Sequence, residues 1–119
     1  MEVVLVALLI VNATVAAVSV AFAVIAVVRP AALSHTSDTP TSGERLYAWM
    51  YAAKAVPLGI LAAALPLISP GTATMLCLIA AAVSQAADAG IGACRREWGM
   101  VAGPAVAAVI HAIAAAAVR

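Results

Sequence analysis

Four long apolar segments, separated by short polar stretches, make up nearly the whole chain. They cover about residues 3–28, 45–68, 72–94 and 98–118, and the first holds no Lys, Arg, Asp or Glu. A helix that crosses a bilayer needs about 20 apolar residues, so each segment is long enough. None of them alternates apolar and polar residues, as a barrel strand does. Because only helices and closed barrels pair their backbone polar groups within lipid, the pattern predicts four transmembrane helices.

The polar stretches carry residues that end and begin helices. Arg29-Pro30 ends the first segment, and Thr41-Ser-Gly-Glu44 is typical of a capping box, in which the Thr41 hydroxyl accepts from the Glu44 amide. Ser69-Pro70-Gly71-Thr72 and Arg95-Arg96-Glu97 indicate tight turns, and Gly103-Pro104 predicts a kink inside the fourth helix. Connections this short make consecutive helices antiparallel. The predicted fold class is therefore all-α, an integral membrane four-helix bundle with antiparallel neighbours, in one domain of residues 1–119.

Composition excludes the soluble alternatives. Hydrophobic residues make up 66% of the 119 residues and charged residues 9%, whereas a soluble domain has about 45–50% and about 25%. A small soluble fold needs a polar shell, which so few charges cannot build. A soluble enzyme, a nucleic-acid binder and a disordered chain are thereby excluded, and membrane lipid is the expected surrounding. The first segment is too long for a signal peptide and lacks a basic start, so we expect a retained span.

Basic residues predict the orientation. The first and third loops, which lie on one side of the membrane, carry all the arginines except Arg119. Basic loops are cytoplasmic, so we expect both termini on the non-cytoplasmic side of the cell membrane. The aromatic residues at the same end are typical of an interfacial belt: Tyr47, Trp49, Tyr51 and Trp98.

Small residues at steps of four predict the faces along which the helices pack, because they let backbones approach closely. On the fourth helix they place His111 against another helix. The two predicted contact ridges are Ala82, Ala86 and Gly90 on the third helix, and Gly99, Gly103, Ala107, His111 and Ala115 on the fourth.

Three ionisable residues, Lys54, Asp88 and His111, lie within the apolar segments. A charge at the bilayer centre costs about 2.5–3.5 kcal/mol on insertion scales, so such side chains usually face the protein interior. Counted from the arginine-rich helix ends, Asp88 is roughly 10 Å deep, Lys54 about 15 Å and His111 about 20 Å. Gln85 and Ser19 lie near the level of Lys54. We therefore expect Lys54 to contact Asp88, directly or through Gln85 or a water.

These residues share faces of their helices and predict one polar pocket. Asp88 is the expected acid or base, His111 its partner, and Lys54 an electrostatic support, while Tyr51, Gln85 and Ser84 are the expected substrate-binding side chains. No metal-ligand spacing is present, so we expect neither metal nor cofactor. A structural reading stays open. Lys54 and Asp88 would then be a buried pair that fixes the helix register, His111 would bond a backbone carbonyl, and Asn12 would link helices.

The second helix reads Leu46-Tyr-Ala-Trp-Met-Tyr-Ala-Ala-Lys54-Ala-Val-Pro-Leu-Gly59, the third ends in Gln85-Ala-Ala-Asp88, and the fourth contains His111. Over roughly residues 45–115 this resembles the small four-helix membrane proteins of the DUF4267 and DoxX-like group. The resemblance implies a fold more than an activity. Lys54 stands where that pattern more often has Arg, and a lysine is a point charge that does not bind a carboxylate through two parallel bonds.

Two functions of different classes fit this pocket. The first is a membrane-embedded isomerase, cyclase or epoxide-opening enzyme that acts on a lipophilic small molecule with acid and base groups alone. The second is a small proton-coupled transporter that works as a dimer, similar to small multidrug exporters in size, although those carry a carboxylate within the first helix and this chain has only Glu2 at its end. A membrane scaffold or accessory subunit is a third reading. A pocket closed within one chain favours the enzyme.

Overall fold

The computed structural model describes residues 1–33 and 39–119, and these are helical apart from turns and caps. Four helical segments are long and apolar enough to cross a membrane, the fourth counted from Trp98 to Ala117 with the 3-10 turn that precedes its α-helix. This confirms the predicted fold class and makes this a multi-pass membrane protein. The helices are α1 (Glu2–Val28), α2 (Ser42–Ile68), α3 (Thr72–Cys94) and α4 (Ala102–Ala117), with short 3-10 turns at Pro30–Ala32 and Trp98–Met100.

The start of α2 follows from its capping box. The Thr41 hydroxyl accepts from the Glu44 amide at 3.2 Å, and the Glu44 carboxylate accepts from the Thr41 amide. Both bonds satisfy amides that the first turn of a helix leaves without partners. The helix therefore begins at Ser42, three residues before the apolar segment from which its start was predicted.

The predicted kink at Gly103-Pro104 is wrong, because α4 begins at Ala102 and the proline falls in its first turn. The amides of the first turn have no partner within a helix, so a proline there removes no bond and bends nothing. The residues expected to open the helix, Trp98–Met100, form a 3-10 turn instead.

A Schellman motif ends α3 and reverses the chain toward α4. Arg96 takes a left-handed conformation with φ of 58°. The Glu97 amide donates to the Gly92 carbonyl at 2.9 Å, and the Arg96 amide donates to the Ala93 carbonyl at 3.0 Å. These are the two bonds of the motif, and they satisfy carbonyls at the helix end. A Cβ at Gly92 would lie 3.2 Å from the Met100 carbonyl oxygen, so this glycine lets the returning chain pass close to α3.

The bundle consists of two closely packed helix pairs, α1 with α2 and α3 with α4, which meet along sparser contacts. Gly59 allows the first close approach, because a Cβ there would lie 2.5 Å from Cγ2 of Val20 and 3.3 Å from the Ala16 carbonyl oxygen. The core between the pairs is made largely of small side chains: Ala16, Ala62, Leu78, Ala81, Ala114, Ala115 and Val118.

The structure confirms part of the predicted contact ridge on α4 and contradicts the one on α3. On α4, Ala107, His111 and Ala115 are buried as expected, but Gly99 and Gly103 face open space. On α3, Ala86 and Gly90 are exposed, so the predicted ridge there is wrong. The helix is rotated so that Gln85 and Asp88, in place of Ala86 and Gly90, face the neighbouring helices. Its buried residues are Thr74, Leu78, Ala81 and Gly92.

Candidate functional site

An ion pair joins α2 to α3 midway along the bundle. The Lys54 Nζ lies 3.1 Å from Oδ1 and 3.4 Å from Oδ2 of Asp88, so the predicted contact is confirmed and is direct. The side chains are 44% and 23% exposed, respectively. The pair therefore lies in the seam between α2 and α3 and not at the centre of the core. The same ammonium lies 5.5 Å from the centre of the Tyr51 ring, within the range of a cation–π contact.

A second polar bridge connects α3 to α1. The Gln85 Nε2 donates to the Ser19 hydroxyl at 3.1 Å, and that hydroxyl donates to the Val15 carbonyl one turn earlier at 3.0 Å. Depth counting placed Gln85 and Ser19 at one level, and they are in contact. Gln85 therefore binds α1 through Ser19 and takes no part in the ion pair between Lys54 and Asp88.

A third link, through Asn12, compensates for a proline in the last turn of α2. Pro66 has no amide hydrogen, so the carbonyl four residues earlier, that of Ala62, lacks its helical donor. The Nδ2 of Asn12 donates to this carbonyl at 2.8 Å. All three residues are buried. Within lipid no water is present to donate a hydrogen bond to an unpaired carbonyl. The side chain of Asn12 therefore supplies the hydrogen bond that Pro66 cannot donate.

The same asparagine fixes the protonation of His111. The Nδ1 of His111 lies 2.7 Å from Oδ1 of Asn12. Because the Ala62 carbonyl can only accept, the Asn12 amide turns its NH₂ group to that carbonyl and its oxygen to the histidine. The imidazole must then carry its proton on Nδ1, which leaves Nε2 as a basic acceptor. Nε2 makes no hydrogen bond within the described part of the chain. The alternative left open for His111, a hydrogen bond to a backbone carbonyl, is wrong, because its partner is the side-chain oxygen of Asn12.

A small cavity brings the three links together. Its volume is about 20 Å³, and about 10–15 Å³ of such space holds one water. Asp88 and His111 both line it, so the two predicted acid and base residues face one space. The polar lining residues are Ser19, Ser84, Gln85, Asp88 and His111; the others are Ala16, Ala55, Leu58, Gly59, Ala62 and Ala81.

Four of the six candidate site residues therefore line the cavity. The other two lie next to it: Lys54 contacts Asp88, and Tyr51 contacts Lys54. Asn12 was expected only to link helices and was not predicted to belong to the site. Its signal was the proline at 66, which frees a carbonyl at the depth of Asn12. Among residues 1–33 and 39–119, no group of three His, Cys, Asp or Glu side chains is arranged to hold a metal ion.

No family model, no curated protein and no solved structure matches this chain. The resemblance to the DUF4267 and DoxX-like group stays a prediction that rests on the residues quoted for it. The fold and the site define a class of protein: a four-helix, multi-pass membrane protein in which a carboxylate and an imidazole line one cavity between the helices, and an ammonium pairs with that carboxylate. Its function has to be argued from the chemistry of that group.

Proposed function

We propose that this protein is a membrane-embedded acid/base enzyme that isomerises, cyclises or opens the epoxide of a lipophilic small molecule without a cofactor. One observation carries the proposal: Asp88 and His111 line the same cavity within a single chain. Isomerisation and cyclisation take a proton from one atom of the substrate and return a proton to another, and epoxide opening takes a proton from an attacking water and returns a proton to the epoxide oxygen. A base and an acid on the same cavity can do both, so no oxidant or reductant is needed.

The hydrogen-bond network supports a separate role for each residue. His111, held by Asn12 with its proton on Nδ1, offers Nε2 as the base. Asp88, a carboxylate paired with Lys54, takes over the proton that Nε2 has removed and returns it to a second atom of the substrate, and the Lys54 ammonium balances the charge that Asp88 regains. Tyr51, beside the Lys54 ammonium, and Gln85 and Ser84, on the cavity wall, would orient the substrate.

The seam between α2 and α3 is the proposed route for the substrate. The cavity has room for about one water, so a substrate can enter only if the two helix pairs part. Their mutual contacts are sparser than those within each pair, which supports this motion. The Lys54–Asp88 pair crosses the seam. A lipophilic molecule arriving from the bilayer would separate these side chains and receive them as its polar partners.

Deuterium incorporation tests the proposal across a range of chemically suitable substrates. Purified protein in D₂O is incubated with a panel of lipophilic ketones, alkenes and epoxides, and the products are separated and weighed by mass spectrometry. An isomerised or cyclised product gains deuterium, and an opened epoxide gains the mass of a water. Asp88→Asn and His111→Gln should each lower the rate by at least about 100-fold, because positioned acids and bases contribute that much.

Glu2→Gln, which changes a carboxylate at the start of α1, is the matched control and should leave the rate unchanged. Turnover that survives both Asp88→Asn and His111→Gln would rule out the proposed chemistry.

The small size of the cavity favours a second candidate, a proton-coupled transporter working as a dimer. Space for about one water suits a proton path better than a bound substrate. The two candidates separate in proteoliposomes. A transporter moves a compound of the same panel along with a pH gradient and leaves it chemically unchanged, and Asp88→Asn stops that movement.

We also propose that both termini lie on the non-cytoplasmic side of the cell membrane, because Arg29, Arg45, Arg95 and Arg96 lie at the opposite end of the helices. Cysteine labelling from outside intact cells tests the orientation, after Cys77 and Cys94 are replaced by alanine. A cysteine at Thr39 should resist a membrane-impermeant reagent, whereas one at Ser69, in the turn after α2, should react. The reverse pattern would overturn the orientation.

A further inference from the structure

A second and larger cavity lies at the arginine-bearing end of the bundle, between the end of α1 and the start of α2. Its volume is about 340 Å³, and it shares no lining residue with the polar site. Sites for small ligands span about 300–1,000 Å³, so this one is of ligand size. Its lining residues are Ala26, Val27, Val28, Pro30, Pro40, Arg45, Ala48 and Trp49.

The lining combines an apolar wall with one positive charge. Among residues 1–33 and 39–119, Arg45 is the only charged residue in the lining, and its guanidinium has no ion-pair partner there. Trp49, one turn further along α2, is 64% exposed. Aromatic side chains at a helix end lie at the level of the lipid headgroups. The cavity is therefore placed where the polar and apolar parts of a lipid meet.

We propose that this cavity binds an anionic phospholipid of the surrounding leaflet. The planar guanidinium of Arg45 presents two parallel donors to the phosphate oxygens, a geometry that suits phosphate. The acyl chain lies along the last turn of α1, against Val27, Val28 and the Trp49 indole. A soluble phosphate would leave that apolar wall unused, and a zwitterionic lipid carries its own cation beside its phosphate. This proposal does not depend on the proposed enzymatic function.

Tryptophan quenching tests the proposal on the whole chain. The protein has two tryptophans, so Trp98→Phe leaves Trp49 as the reporter. The protein is placed in phosphatidylcholine bilayers that contain increasing fractions of brominated phosphatidylglycerol, or of brominated phosphatidylcholine as the zwitterionic reference. Half-quenching by the anionic lipid should need an about fivefold lower fraction, since one arginine at a membrane surface contributes about 1 kcal/mol.

Two variants and one control separate the cavity from surface charge. Arg45→Gln should abolish the preference, and Ala48→Leu should also reduce it, because the added carbons narrow the cavity while the arginine stays. Arg96→Gln, at the same end of the bundle and outside the cavity, should keep the preference. The proposal is overturned by equal quenching from both lipids, by a preference that survives Arg45→Gln, by an equal loss in Arg96→Gln, or by displacement of the lipid with soluble glycerol phosphate.

Discussion

Lys54→Met should destabilise the folded protein in detergent by about 3 kcal/mol, because it strands the Asp88 carboxylate between two helices in an apolar surrounding. Asp88→Leu should cost less, since the long stem of Lys54 lets its ammonium reach a polar boundary, which the short aspartate cannot do. The double variant Lys54→Met/Asp88→Leu should recover much of the loss, because both charges are then gone. Reversible unfolding of the four proteins, followed by circular dichroism, measures these differences.

Glu97→Leu, in the exposed turn after α3, is the matched control and should change the stability by less than about 0.5 kcal/mol. If each single variant were as stable as the parent, the 3.1 Å contact would carry no energetic weight. Apolar packing alone would then hold α2 against α3, and the proposed substrate route would have no ion pair that the substrate must separate.

Asn12→Leu should cost about 2 kcal/mol, because it leaves both the Ala62 carbonyl and the Nδ1–H group of His111 buried without a partner. In that background Pro66→Ala should restore part of the loss. The new alanine amide can donate to the Ala62 carbonyl within α2, as in an ordinary helix. The same unfolding measurement, made on the two single variants and the double variant, gives the coupling between residues 12 and 66.

Pro57→Ala is the control for this cycle, since it also removes a proline from α2 but supplies an amide to the carbonyl of Ala53, which Asn12 does not contact. It should leave the cost of Asn12→Leu unchanged. An equal rescue by Pro57→Ala and Pro66→Ala would mean that helix propensity alone explains the gain, and that Asn12 does not replace a missing backbone bond.

The spans and the ion pair could be predicted from the sequence for physical reasons. Largely apolar runs of more than 20 residues leave the chain no other structure in lipid. The rise per residue is constant along a helix, so counting from its end gives the depth of each polar group. Lys54 and Asp88 lie 34 positions apart in the chain, and their depths still agree within about one helical turn.

Rotation of each helix about its axis was harder to predict. Alanine occupies so many positions that small-residue steps of four do not single out one face, and the ridge through Ala86 and Gly90 was misplaced for that reason. Polar side chains decide the rotation of α3, because Gln85 reaches Ser19 and Asp88 reaches Lys54. The contact of Asn12 with Ala62 escaped prediction because its acceptor is a backbone carbonyl, and the sequence marks that carbonyl only indirectly, through the amide hydrogen that Pro66 lacks.

The proposed chemistry requires that His111, held by Asn12, present a bare Nε2 to the space that it shares with Asp88. Nitrogen-15 NMR in bilayers distinguishes the two ring nitrogens. The chain has two histidines, and replacing His35, which lies outside the described residues, leaves His111 as the only signal. We expect a proton on Nδ1, none on Nε2, and an Nε2 resonance that shifts in Asp88→Asn but not in Glu2→Gln. A proton on Nε2 with a bare Nδ1, or a spectrum that Asp88→Asn leaves unchanged, would show that His111 is not the base facing Asp88.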